Sequence, residues 1–179
     1  MEFNTVINTR RSIRRYDKSA HITKEQLNEI IKAAIMAPSW KNSETGRYHI
    51  VMSEDKMKEL REATMPEYNI KNCADASAII VTTYVKNRSG FEKDGTPSNE
   101  LGNQWGAYDL GLQNENLILK AWELGLGTLI MGLRDEKKVR EILNIPEEEV
   151  IMSIISIGVP DIEPSCPARK EIEDIVKYY

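Results

Sequence analysis

The chain has 179 residues, a formal net charge of −4 at pH 7, and 41% hydrophobic against 29% charged residues. That composition supports one packed domain and argues against a disordered tail or a generally basic nucleic-acid binder. The longest apolar runs, near Ala78–Val81 and Val150–Val159, fall short of the ~20 residues a membrane helix needs, so no membrane partner is expected. Cys73 and Cys166 lie far apart without metal-ligand or redox spacing; with no secretory leader read ahead of them, reduced thiols and a cytoplasmic location are expected.

A short helical segment leads into Arg10-Arg11-Ser12-Ile13-Arg14-Arg15-Tyr16-Asp17, where four guanidinium groups and a hydroxyl fall within six residues. Guanidinium presents a planar fork of donors matched to phosphate oxygens, so the cluster suits a phosphorylated cofactor. A solvated charged turn or a basic patch for nucleic acid has the same local pattern, although a basic patch is unusual on an acidic chain. Next, Thr23-Lys24-Glu25-Gln26 reads as a capping box, and Leu27, Ile30, Ile31, Ala34 and Ile35 repeat at helical spacing until Pro38. The Ser39–Asn42 loop is therefore expected to hang from a helix end. Arg47–Met52 reads as a strand, Ser53 as the cap of a helix carrying Met57 and Leu60, and Ser77–Val85 as a second strand. Polar Lys86–Glu100, with Gly90, Gly95 and Pro97 and no apolar period, reads as a mobile loop.

Asn103–Leu124 is the longest helical candidate, and its apolar residues surround most of its circumference, which implies burial at the domain centre or across a subunit interface. Gly125 and Gly127 end it. Thr128–Met131 is a short strand closed by Gly132, Asp135 caps a helix carrying Val139, Ile142 and Leu143, and Val150–Gly158 is the last strand. A tail with Pro160, Pro164 and Pro167 follows. The order is α+β without internal repeats, and no Gly-x-Gly-x-x-Gly turn supports a Rossmann site. His21 precedes a helix and His49 lies inside a strand; neither has a triad partner nearby in sequence, so both read as structural.

Four motifs carry a resemblance: Arg10-x-Ser12-x-Arg14 with Arg11 beside it, Pro38-Ser39-x-x-Asn42, Leu124-Gly125-Leu126-Gly127 followed by Leu129-Ile130-Met131-Gly132, and Pro167-Ala168-Arg169. In this order they resemble the nitroreductase family of flavin mononucleotide (FMN) oxidoreductases. The resemblance implies one domain over residues 1–179, an α+β fold with a central mixed sheet flanked by helices, and an intertwined homodimer with FMN at the subunit interface. It implies that Arg10, Arg11, Ser12, Arg14 and Arg169 hold the FMN phosphate, and that Pro38, Ser39 and Asn42 run along the flavin ring. The backbone of Leu129, Ile130, Met131 and Gly132 would lie against that ring, with Asn69 as a ring or ribose contact.

NADH or NADPH would be the reductant, and a nitroaromatic, quinone or similar small molecule the acceptor, with the cofactor doing the hydride chemistry and no catalytic side chain required. Family members commonly continue Asn-x-Gln-Pro-Trp where this chain has Asn42-Ser43-Glu44-Thr45-Gly46, and Arg15 has no phosphate role in the motif. Trp40, Tyr68 and Phe91 are candidate pocket walls. A dehalogenase-like reductase of the same fold, or a flavin-binding module without turnover, are the alternatives.

Overall fold

Ala78–Val85 contains Ile, Val and Thr in a run with no consistently polar face, and its first seven residues are buried. In the computed structural model, which describes residues 1–179, this strand (β2) lies inside a four-stranded sheet. β1 (Gly46–Val51) pairs on one side of it and β4 (Glu149–Gly158) on the other, and β3 (Gly127–Met131) closes the far edge beside β4. All three pairings are antiparallel. The expected mixed character is reduced to a single parallel bridge, Ser12 beside Thr128.

Alternation along the strands sends side chains to two apolar layers. Ile79, Val81, Leu129, Met131 and Ile154 face one layer, with α3 (Glu54–Thr64) and α6 (Glu136–Leu143) supplying Met57, Leu60 and Val139. Ala78, Ile80, Ile155 and Ile157 face the other, against Leu27 and Ile30 of α2 (Lys24–Ala34) and Leu117, Ile118 and Ala121 of α5 (Gln104–Glu123). The caps act where their residue types require: Thr23 and Gln26 form the reciprocal box on α2, and the Ser53 and Asp135 side chains accept from the third residue of their helices. The first helix, α1 (Phe3–Thr9), delivers Arg10.

Three expectations change. α2 stops at Ala34, ahead of Pro38: proline has no N–H to give the carbonyl four residues back, Ala34, and the chain tightens into turns with Met36 N on Ala33 O and Ala37 N on Ala34 O. A short helix, α4 (Glu67–Asn72), forms in a stretch with too few turns to show a period. Residues 86–100 are not a free loop: Ser98 N donates to Gly90 O at 2.8 Å, Glu92 N to Thr96 O at 2.8 Å, and Ser89 is buried.

The sheet edge also holds the arginine segment. Ile13 N donates to Thr128 O at 2.9 Å and Asp17 N to Val159 O at 2.9 Å. Ile13 is fully buried, and the Tyr16 hydroxyl reaches Ile13 O at 3.1 Å and Ser156 Oγ at 2.8 Å. Room for this comes from two glycines that face each other across β3 and β4, Gly127 and Gly158. A Cβ on Gly127 would sit 2.4 Å from Ile13 Cγ1, and one on Gly158 2.9 Å from the Tyr16 ring. Gly127→Ala should therefore lift residues 12–16 from the edge and destabilise the protein by about 1–3 kcal/mol. Equilibrium urea unfolding checks this, and Gly111→Ala, inside α5 where an added Cβ meets nothing within 4 Å, is the comparison, expected to raise stability by up to about 1 kcal/mol.

Candidate functional site

With Ile13 and Tyr16 anchored inward, the residues between and before them face outward. Thr9 is tied by Trp122 Nε1 to its Oγ1 at 2.8 Å, which sets where the segment leaves α1. Arg10, Arg11, Ser12 and Arg14 then surround a cavity of about 130 Å³ with Pro164, Ser165, Pro167 and Arg169 of the tail, and no lining residue is hydrophobic. The recorded side-chain bonds of these arginines go only to nearby carbonyls: Arg11 to Arg10 O at 2.7 Å, Arg14 to Ser12 O at 3.5 Å, Arg169 to Pro167 O at 3.2 Å. None of the four pairs with a carboxylate, whereas Arg15, Arg61 and Arg140 all do. Four uncompensated guanidiniums around a small polar cavity repel one another, and an anion bearing several oxygens would relieve that repulsion.

Arg15, one residue along, has a different task. Its Nε and Nη2 donate to Asp161 O at 2.9 and 2.6 Å, its Nε lies 3.1 Å from the Asp161 carboxylate, and Asp161 N returns a bond to Arg15 O at 3.1 Å. Between Ile162 and Arg169 the tail makes no further hydrogen bond to the body. The clasp at Arg15 is thus the last anchor before Arg169. Sequence alone could not show it, because the partners are 146 residues apart.

Arg14 also lines a second cavity of about 370 Å³ with Tyr68, Asn69, Asn72 and Leu129–Leu133. Here β3 is an open edge: the Thr128 carbonyl points away from β4 to Ile13, and strand alternation aims the backbone of Ile130 the same way. Unpaired backbone groups on such an edge are ready donors and acceptors for a bound molecule. Asn69 is buried, and its amide donates to Leu133 O at 3.5 Å.

The Pro38–Asn42 loop lies elsewhere. Trp40 N donates to the buried carboxylate of Asp109 at 3.0 Å, which also accepts from Ser89 Oγ at 2.6 Å, so one side chain of α5 pins both this loop and the segment at 86–100. Asp109 escaped sequence reasoning; its only signal was a carboxylate inside a largely apolar helix. Glu44, in place of the family's glutamine, accepts from Asn42 Nδ2 at 2.9 Å, and Glu44 N donates to Ser39 Oγ at 3.1 Å. Trp40–Ser43 line a cavity of about 630 Å³ with Asn87, Arg88, Phe91, Glu92, Lys93 and Gly95. It shares no residue with the arginine cavities. Asp109 and Trp122, which mark the two places on α5, are thirteen residues or roughly 20 Å apart along the helix. One chain therefore gathers Arg10, Arg11, Ser12, Arg14 and Arg169 and joins them through Arg14 to Asn69 and Leu129–Gly132, but it does not bring in Pro38, Ser39 and Asn42. A further cavity of about 490 Å³, beside Lys18, His21, Glu54 and Asp75, contains none of the candidate residues and balances its cations with carboxylates.

The model of the nitroreductase family matches residues 7–159 of this chain. An Archaeoglobus fulgidus protein provisionally named NADH dehydrogenase/NAD(P)H nitroreductase is 34% identical over 159 residues, covering 87% of this chain and 83% of its own. Mouse iodotyrosine deiodinase 1 is 23% identical over 98% of this chain and 68% of its own length. Among solved structures, a nitroreductase-like protein from Exiguobacterium sibiricum in complex with FMN superposes with a TM-score of 0.87 at 22% identity, covering all of this chain and 98% of that one.

Outside the cavities, His49 does have a partner: its Nε2 lies 2.7 Å from Glu149 Oε2, and the Thr83 hydroxyl donates to the same oxygen. The carboxylate sits between the other two groups, so the imidazole touches no nucleophile and the arrangement ties β1, β2 and β4 together. Burial pushes the Glu149 carboxyl up, but the Thr83 hydroxyl, the His49 ring and the Arg47 charge outweigh it and hold the group below its ordinary 4.5. A carboxyl depressed in the folded state adds stability above its ordinary range and loses it as pH falls through the folded value. Glu149→Gln should accordingly lower stability at neutral pH and flatten the acid limb below 4.5, measured by urea unfolding across about pH 3 to 7. A stability difference from wild type that stays constant across that range would contradict this account.

Proposed function

Because the chain belongs to the nitroreductase family, we propose that it is an FMN-dependent oxidoreductase that draws reducing equivalents from NADH or NADPH and passes them to a small acceptor such as a nitroaromatic or a quinone. The observation that carries this reading is the unneutralised group of Arg10, Arg11, Arg14 and Arg169 around one small polar cavity, continuous through Arg14 with the open edge of β3. The donor set fits a phosphate dianion attached to a planar group with a hydrogen-bonding rim. The name of the Archaeoglobus fulgidus relative and the FMN complex of the Exiguobacterium protein support the same reductant and cofactor.

When bound, FMN supplies the two-electron chemistry between nicotinamide and acceptor. The chain's own groups do the rest. The guanidiniums and Ser12 hold the phosphate by charge-assisted hydrogen bonds, and the Arg15 clasp keeps Arg169 within reach of it. Backbone groups on the free edge at Ile130 would offer fixed hydrogen-bonding dipoles to the bound cofactor. Exposed Ile130, Leu133 and Tyr68 keep water from part of the surface beside that edge.

We propose that a second copy completes the site. Pro38, Ser39 and Asn42 lie too far along α5 to join the same chain's arginine cavity, and a two-fold mate can bring its own loop there. Exposed Phe3, Ile7, Ile35, Met36 and Tyr108, with Ile172, Ile175, Val176, Tyr178 and Tyr179 of the tail, supply apolar surface for such a contact. Reductive dehalogenation is the second reading, favoured by the match to the mouse deiodinase; halide release from a halogenated phenol during NAD(P)H oxidation would establish it.

The purified protein should be yellow with one FMN per chain, and riboflavin, which lacks the phosphate, should bind far more weakly. Arg169→Ala should weaken FMN by about 1.5–3 kcal/mol, roughly 10- to 100-fold, in a flavin-fluorescence titration. Arg15→Ala removes no phosphate contact and should cost less. Equal affinity for riboflavin and FMN would overturn the phosphate assignment, and failure of NADH and NADPH to bleach the bound flavin would leave a binding module without turnover.

A further inference from the structure

The lining of the cavity beside the Trp40 turn carries more cations than carboxylates, although Asp94, next to Lys93, and Glu44, bonded to Asn42, add negative charge nearby. Lys41, Arg88 and Lys93 line it against a single carboxylate, Glu92. Glu92 is already engaged: Ser98 Oγ donates to it at 2.6 Å, and Lys41 Nζ lies 3.0 Å from both of its oxygens. These contacts hold its carboxyl below the usual range, Ser98 first and Lys41 second. Lys41 and Glu92 therefore cancel. Arg88 and Lys93 take part in no ion pair and no side-chain hydrogen bond, although the chain as a whole is acidic.

The backbone that carries the two cations is fastened. Phe91 and Pro97 form a bridge, Glu92 N donates to Thr96 O, Phe91 N donates to Arg88 O at 3.2 Å, and Ser89 is anchored on Asp109. The cavity floor is unusual as well, since Lys41 and Asn42 adopt left-handed backbone with φ of 48° and 52°. Non-glycine residues in that region cost energy and persist where the surroundings over-determine them, as ligand clamps do. Two aromatic rings are part of its mostly polar lining, Phe91 and Trp40, the latter backed by Trp105 at 4.6 Å, centroid to centroid. A volume near 630 Å³ accommodates a one- or two-ring molecule.

We propose that this cavity is the acceptor subsite and that it selects planar aromatic acceptors bearing a negative charge, a carboxylate or a phenolate, with Arg88 and Lys93 as the specificity-determining residues. The proposal rests on the oxidoreductase reading above and on the two-chain site proposed with it, because in one chain this cavity lies apart from the arginine cavity and the edge of β3. Aromatic rings stack on Trp40 or Phe91, and the two free cations raise the local concentration of anions and fix the charged end.

The test compares 4-nitrobenzoate with 4-nitrobenzamide, nearly isosteric and different in charge, on the FMN-loaded wild type and on the double variant Arg88→Gln, Lys93→Gln. Both positions are exposed, so folding is retained. Wild type should bind nitrobenzoate more tightly by calorimetry and reduce it with the higher kcat/KM. The double variant should lose about 5- to 10-fold for nitrobenzoate, through KM, while nitrobenzamide is unchanged. Added NaCl should shrink the wild-type preference in the same way. No preference in wild type, or a preference that survives in the variant, overturns the proposal. So does a loss that appears instead in the rate at which NADH or NADPH bleaches the flavin, which would assign the cations to the dinucleotide phosphates. Absence of FMN or of bleaching in wild type marks failure of the oxidoreductase reading itself, and the proposal falls with it.

Discussion

The seating of residues 12–17 against the edge of the sheet is the constraint on which the rest of the site depends. A buried isoleucine, a buried tyrosine and two backbone bonds hold a segment that carries Arg14 and Arg15 and follows directly on Arg10 and Arg11, and burial of the Ile13 side chain alone is worth about 1.5–3 kcal/mol. Mutual repulsion of the arginines works against that seating. The glycine pair across β3 and β4 makes the close approach possible, because any Cβ at Gly127 or Gly158 would occupy the space of Ile13 or Tyr16. Apolar packing thus holds in place the charged groups that packing alone would never collect.

Charge is handled in two contrasting ways. Where arginines serve architecture they are paired: Arg15 with Asp161, Arg61 with Glu54, Arg140 with Glu136. At the polar cavity near the tail no arginine meets a carboxylate, and at the cavity beside Trp40 Arg88 and Lys93 stand unpaired while Lys41 is held by Glu92. Leaving like charges together costs stability, and at these two places the unpaired cations line a polar cavity. The trio of Thr83, Glu149 and His49 shows the opposite case, a buried carboxylate satisfied on both sides and used to bind three strands.

Helix α5 sets the scale of the site. Its first turns carry Asp109, which pins the Trp40 loop and Ser89; its last turns carry Trp122, which fixes Thr9 ahead of the arginines. The two groups of candidate residues are held rigidly and apart in one chain. This separation is the ground for proposing that a second chain completes the site, and the apolar side chains left exposed near the N-terminus, after α2 and along the tail are surface that such a contact would use.

Much of the fold was legible in the sequence because it rests on local interactions. The capping box at Thr23, the caps at Ser53 and Asp135, the apolar period of α2 and the β-branched run of β2 each depend on residues within a few positions of one another, and each formed close to its expected place apart from the earlier end of α2. The arginine cluster and Arg169 were legible as chemistry, since residue type alone determines what an anion site needs. Only the tertiary structure decided the rest: the antiparallel order of the sheet, the clasp of Arg15 on Asp161, the pairing of His49 with Glu149, the anchoring of residues 86–100 on Asp109, and the separation of the Pro38 loop from the arginine cluster. Each of these joins groups distant along the chain. Such contacts carry no periodic or local signature, and they form only once hydrophobic burial has closed the intervening loops.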